Sequence, residues 1–276
     1  MRGFFHLVIV LLISTLVVVV LLYLNTSRDD LIPSNLGSNP APTPNSLTYG
    51  NPTIPKARSY RTVLVGDSVV ASFGVNANTL REKLIEKYPG SEFVNYNYGY
   101  PATNVLSLPA RLNEITTNGE EENPPILSQG FDLIIIESFG YNPLSEYPLE
   151  EGLQKQSEVL EEGLNDILYK KPNVAIAFMT PIAPSEQNFA RGSRDLSDEV
   201  RSYWVKERIA YIDNHRDFAL ERGIPVIDVY EASLTEDGVA DDMYISDDFI
   251  HPSDEGILLI STEVANYIYF NRIFPE

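Results

Sequence analysis

From Arg61 onward, short apolar runs rich in β-branched residues alternate with stretches whose apolar residues recur at helical spacing. This alternation leaves few architectures open. The strand-like runs fall at residues 62–65, 92–95, 131–137, 173–179 and 225–229. Between them Leu80, Leu84, Ile85 and Tyr88 share one helical face, and Leu153, Leu160, Leu164, Ile167 and Leu168 share another. Residues 200–220 and 253–271 read as two further helices. Strands and helices in this order predict an α/β fold: three α/β/α layers around a mostly parallel sheet of about five strands.

Residues 59–276 supply that domain, with no internal repeat, and the chain before them is of a different kind. Residues 3–24, GFFHLVIVLLISTLVVVVLLYL, are apolar except for His6, Ser14 and Thr15. At ~1.5 Å per residue they span about 33 Å as a helix, enough for a bilayer core. The run exceeds a usual signal-peptide core, and no A-x-A-like cleavage site follows it. Residues 1–28 are therefore expected to be an uncleaved signal anchor, a single transmembrane helix that leaves the domain extracytoplasmic. Residues 29–58 hold six prolines among Ser, Asn, Thr and Gly, with no apolar periodicity. Such a segment cannot bury enough surface to offset chain ordering, and is expected to be a disordered tether reaching roughly 30 Å.

The formal charge is −19, and because residues 1–58 carry four cations against two anions, −21 falls on residues 59–276. A surface of that sign repels phosphate backbones, so nucleic acid is not an expected partner. With no cysteine in the chain, thiolate metal sites and disulfides are excluded.

Four polar stretches interrupt the pattern where strands end. The first strand stops at Gly66-Asp67-Ser68, which puts a small hydroxyl at the carboxyl edge of the sheet, where open α/β folds place their chemistry. Alone it reads equally as a strand-to-helix turn capped by Asp67 or Ser68. After the second strand, Asn97-Tyr98-Gly99-Tyr100-Pro101-Ala102 reads as a loop with backbone N–H groups turned toward that edge. The third strand runs into Gly140-Tyr141-Asn142-Pro143, which is either a plain turn or an asparagine held beside Ser68. Asp248 lies three residues before His251, close enough in a short loop to receive the imidazole Nδ1–H and leave Nε2 as a base.

In this order the four stretches resemble the SGNH subgroup of the GDSL esterase/lipase family, over nearly all of residues 60–270. The resemblance implies the flavodoxin-like SGNH-hydrolase fold and a serine ester hydrolase that needs no metal or cofactor. It puts the nucleophile on Ser68, the orienting acid on Asp248 and the base on His251. It puts the oxyanion hole on the N–H of Ser68, the Asn142 amide and the N–H of Ala102, with Gly99 as the alternative donor. Ala102 stands where the family has glycine, and Pro143 where it has aspartate. The implied partner is an ester, either an O-acetylated cell-envelope glycan or a small acyl ester, with the membrane met through the N-terminal helix. An O-acyltransferase with the same triad, a lysophospholipase or lipid esterase, and a non-catalytic binding module on this fold also remain open.

Other residues read as structural. Asp67 holds its loop, His215 is solvated among Asp213, Asn214 and Arg216, and Trp204 packs in the core while Tyr203 lies beside it on the same helix. Asp237, Asp241, Asp242, Asp247 and Asp248 lack the spacing of a calcium loop. Arg191 and Arg194 sit in a solvated loop, and Ser138 lacks the first glycine of a G-x-S-x-G elbow.

Overall fold

The computed structural model describes residues 49–275. In chain order the elements are β1 (Ser59–Gly66), α1 (Ser68–Ala71), α2 (Asn78–Lys87), β2 (Glu92–Gly99), α3 (Leu108–Asn113), β3 (Thr116–Asn118), β4 (Glu121–Asn123), β5 (Leu133–Glu137), α4 (Leu149–Lys170), β6 (Ala175–Met179), α5 (Asp198–Glu221), β7 (Val226–Ile227), α6 (Val229–Ala232) and α7 (Asp254–Phe270). Five strands form one parallel sheet in the order β2-β1-β5-β6-β7. The order reverses at β1, so a crevice opens between the carboxyl ends of β1 and β5, the switch point at which such sheets bind ligands.

The strand side chains alternate between two cores. Leu64, Leu133, Ile135, Ala175 and Ala177 join Leu80 and Leu84 of α2 and Ile260 and Val264 of α7. Val63, Val65, Ile134, Ile136, Ile176 and Phe178 join Leu108 of α3, Leu160 and Leu164 of α4 and Phe218 of α5. Burial on both faces explains why the central strands read as continuous apolar runs.

Several expected boundaries shift. The loop expected from Asn97 is still strand, because β2 pairs with β1 in register up to Gly66 and Gly99. The last strand is cut to two residues, because Asp228 accepts from Glu231 N and starts α6. The two-stranded hairpin of β3 and β4, turning through Gly119 at φ +66°, was not expected from the strand pattern. Residues 49–58, expected to belong to a tether, pack on the domain: Tyr49 and Ile54 are buried, Tyr49 N donates to Arg222 O at 3.0 Å, and Ile176 N donates to Tyr49 Oη at 2.6 Å. The expected anchor and most of the tether lie outside the described residues. No helix among the described residues is long and apolar enough to cross a membrane.

Candidate active site

β1 delivers Ser68 to the crevice through a tight turn. Asp67 Oδ1 accepts from Val69 N at 2.9 Å, which caps α1 and confirms the holding role read for Asp67. Gly66 is required here, since a Cβ would lie 2.5 Å from Val70 Cγ2 and 2.8 Å from Glu137 Cβ. Ser68, the first residue of α1, keeps 9% of its surface open.

Beside it, the end of β2 packs backbone against backbone. A Cβ on Gly99 would lie 2.2 Å from Ala71 N, so only glycine lets strand and helix approach this closely. Gly99 N already donates to Asn97 Oδ1 at 2.8 Å and is not available to a substrate oxygen. Ala102 is exposed at φ +55°, the left-handed conformation that glycine adopts without strain, and among the described residues its N–H has no acceptor.

The crevice floor is held by a residue that sequence patterns did not single out. Arg111 of α3 is fully buried; its Nη1 donates to Gly66 O at 2.6 Å and Tyr98 O at 2.7 Å. Its Nη2 donates to Thr103 Oγ1 and, at 2.9 Å, to Ser107 Oγ, while the guanidinium stacks 4.2 Å from the Tyr100 ring. One cation thus ties the ends of β1 and β2 to the loop carrying Ala102. Burial lowers its pKa to about 10, and the nearby Tyr100, Asp67 and Glu137 act the other way.

From β5 the chain enters a second strained turn, with Phe139 at φ +55°. Glu137, fully buried, accepts from Phe139 N at 3.0 Å and Ser138 Oγ at 2.7 Å. Ser138 is therefore a buried structural hydroxyl. A Cβ on Gly140 would lie 2.4 Å from Ile212 Cγ1 of α5. Asn142 Nδ2 donates to Asp67 Oδ2 at 3.0 Å, which brings its carboxamide to the turn that carries Ser68 and leaves a second amide hydrogen. Burial raises the pKa of both carboxyls beneath this turn. Hydrogen bonds from Val69 and Asn142 and the charges of Arg111 and His251 act against the rise at Asp67. The charge of Asp67 pushes Glu137 further up.

The last stretch folds as a compact loop before α7. Asp248 Oδ2 accepts from His251 Nδ1 at 2.6 Å, and its Oδ1 accepts from Ser246 Oγ, Ile250 N and His251 N at 2.7, 2.8 and 2.9 Å. Partial burial pushes the Asp248 carboxyl up, but these four bonds outweigh it and hold the pKa at about 2. Phe249, at φ +56°, accepts from Ala190 N at 3.0 Å. Among the described residues His251 Nε2 has no hydrogen-bond partner, and Ser68 Oγ makes no hydrogen bond to it; such bonds often tighten only with substrate present. His251 lies near enough to Asp67 for its charge to act on that carboxyl.

Two further expectations resolve differently from each other. His215 is not solvated: it is fully buried, stacked 4.4 Å from Phe178, with Nε2 3.2 Å from Ile136 O, and burial lowers its pKa to about 3. The polar neighbours misled, while Tyr211, Ile212, Phe218 and Ala219 marked the inward face of α5. Trp204 does pack against the core. The acidic residues are dispersed into separate tasks: Asp241 accepts from Met243 N, Asp242 from Asn188 Nδ2, and Asp248 serves His251. Arg191 pairs with exposed Asp198 at 3.7 Å.

No protein-family model matches the chain, and no curated protein matches its sequence. Solved structures do match its fold. A lipase/acylhydrolase from Enterococcus faecalis is 21% identical with a TM-score of 0.56, over 79% of this chain and 98% of that one. An acetyl xylan esterase is 14% identical with a TM-score of 0.54, over 75% of this chain and 99% of that one. At these identities the likeness speaks for the fold.

Proposed function

We propose that this chain, built on the fold of the SGNH hydrolases, is a serine ester hydrolase acting through Ser68, His251 and Asp248. The observation that carries the reading is the 2.6 Å bond from His251 Nδ1 to Asp248, which fixes the tautomer and leaves Nε2 to take a proton. Ser68 Oγ would attack the ester carbonyl as His251 Nε2 accepts its proton. The N–H groups of Ser68 and Ala102 and the second amide hydrogen of Asn142 would receive the oxyanion. Collapse expels the alcohol, which takes the proton from His251. Water, deprotonated by His251, then cleaves the acyl-enzyme and restores Ser68. The bond from Gly99 N to Asn97 Oδ1 supports Ala102 over Gly99 as the donor.

Within this class the substrate we assign is a short acyl ester, such as O-acetyl, on a cell-envelope glycan. The apolar residues 3–24, read as a membrane anchor with the domain outside the cytoplasm, support that choice. The full chain in detergent should hydrolyse p-nitrophenyl acetate faster than butyrate or octanoate, and Ser68→Ala should fall to background. A fluorophosphonate probe should label Ser68, and only while His251 is intact. Equal rates for the parent and Ser68→Ala would overturn the hydrolase reading. Protease digestion of intact cells tests the topology, with an extracytoplasmic domain being cut from outside.

A further inference from the structure

We infer that the groove along the outer edge of β2 is a subsite for a neutral, hydroxyl-rich oligosaccharide, the alcohol part of the ester. The assignment to an ester rests on the hydrolase reading; the groove itself is argued from its lining. β2 is the edge strand of the sheet, and the groove beside it encloses about 420 Å³. Six carboxamides line it, those of Asn76, Asn95, Asn97, Asn118, Asn123 and Gln129, against one carboxylate, Glu121. In a domain carrying −21, so neutral a strip sets the groove apart from the rest of the surface. A carboxamide offers a donor and an acceptor together, as a sugar hydroxyl does. An anionic ligand calls for cations, and none lines the groove; Val75, Val94, Tyr96, Pro101 and Pro124 stand among the amides and suit the apolar faces of sugar rings.

The amides divide into a fixed floor and open walls. Asn97 Nδ2 donates to Val70 O and Gly74 O at 2.9 and 2.8 Å, fastening the floor to the helical turn that begins at Ser68. Asn118 Nδ2 reaches Gly99 O at 3.5 Å. Asn95 is 4% exposed, and its Oδ1 is a buried acceptor with no partner among the described residues. Such an orphan calls for an explanation, and a ligand hydroxyl or a bridging water at the groove wall supplies one. Asn76 and Asn123 make no side-chain hydrogen bond among the described residues, and both line the groove. Gly99 and Pro101 line the groove, and Pro101 directly precedes Ala102, the proposed oxyanion donor.

The test uses the full-length Ser68→Ala chain in detergent, titrated calorimetrically with xylo-, cello- and chito-tetrasaccharides. At least one should bind saturably. Asn76→Ala combined with Asn123→Ala should weaken it about tenfold or more, the loss expected for two ordinary hydrogen bonds. In the active chain the same pair should lower the ratio of kcat/KM for the acetylated oligosaccharide to that for p-nitrophenyl acetate by a similar factor. Absence of binding to all three sugars overturns the inference. So does binding that the paired substitution, shown folded by circular dichroism, leaves unchanged, or displacement of the sugar by octanoate. Sugar binding without any Ser68-dependent turnover would instead overturn the hydrolase reading and leave the subsite standing.

Discussion

Replacing Arg111 by lysine keeps a cation but loses the fork that grips Gly66 O and Tyr98 O together. The turn carrying Ser68 and the loop carrying Ala102 then lose their common brace. Displacements of about 1 Å at such groups cost on the order of 10²-fold in rate. Arg111→Lys should therefore lower kcat on p-nitrophenyl acetate by about that factor with little change in KM, read by steady-state kinetics. His215 makes a different prediction. Its pKa is about 3 in the fold, against roughly 6.5 for an ordinary histidine. Below about pH 6.5 the unfolded chain takes up a proton that the folded chain refuses. The stability present above that pH is thus lost as the pH falls toward 3, with a slope approaching ~1.4 kcal/mol per pH unit. Urea unfolding of the parent and His215→Gln at a series of pH values should show this slope only in the parent.

At the scale of elements, the meeting of β2 with α1 is the tightest joint in the crevice. Gly99→Ala puts a methyl group 2.2 Å from Ala71 N, backbone that has nowhere to give. Overpacking of this kind costs typically about 1–3 kcal/mol, and here it also pushes the Ser68 turn outward. A lower urea midpoint together with a lower kcat is expected; a change in stability alone would leave the joint without a catalytic role. The same joint shows what could be read from sequence. The five strands announced themselves because parallel strands buried on both faces must be apolar throughout. The Asp248–His251 pair was legible because both residues lie in one short polar segment at an element's end. Arg111 was not, since its acceptors are carbonyls of residues 66 and 98, and a local pattern around a six-residue helix carries no trace of them. The carboxyl end of β2 was misjudged because Asn97 looks like a loop residue. Its amide instead bonds the backbone of a neighbouring segment, at Val70 and Gly74, from within the strand.

For the whole molecule, charge governs which ligands can approach. A domain at −21 repels anionic substrates over distances that salt shortens, to about 10 Å at 0.1 M. Raising the ionic strength from low to physiological should increase kcat/KM for an ester on an acidic sugar and leave that for a neutral analogue unchanged, as measured by acetate release. The fold also fixes where the described residues begin and end. Tyr49 is bonded to Ile176 at the amino end of β6, and Pro275 O accepts from Tyr60 Oη at the amino end of β1, 3.1 Å away. The crevice lies at the opposite, carboxyl end of those strands. Both ends of the domain therefore emerge from its back, and a bead, tag or fusion partner attached through either one leaves the mouth unobstructed.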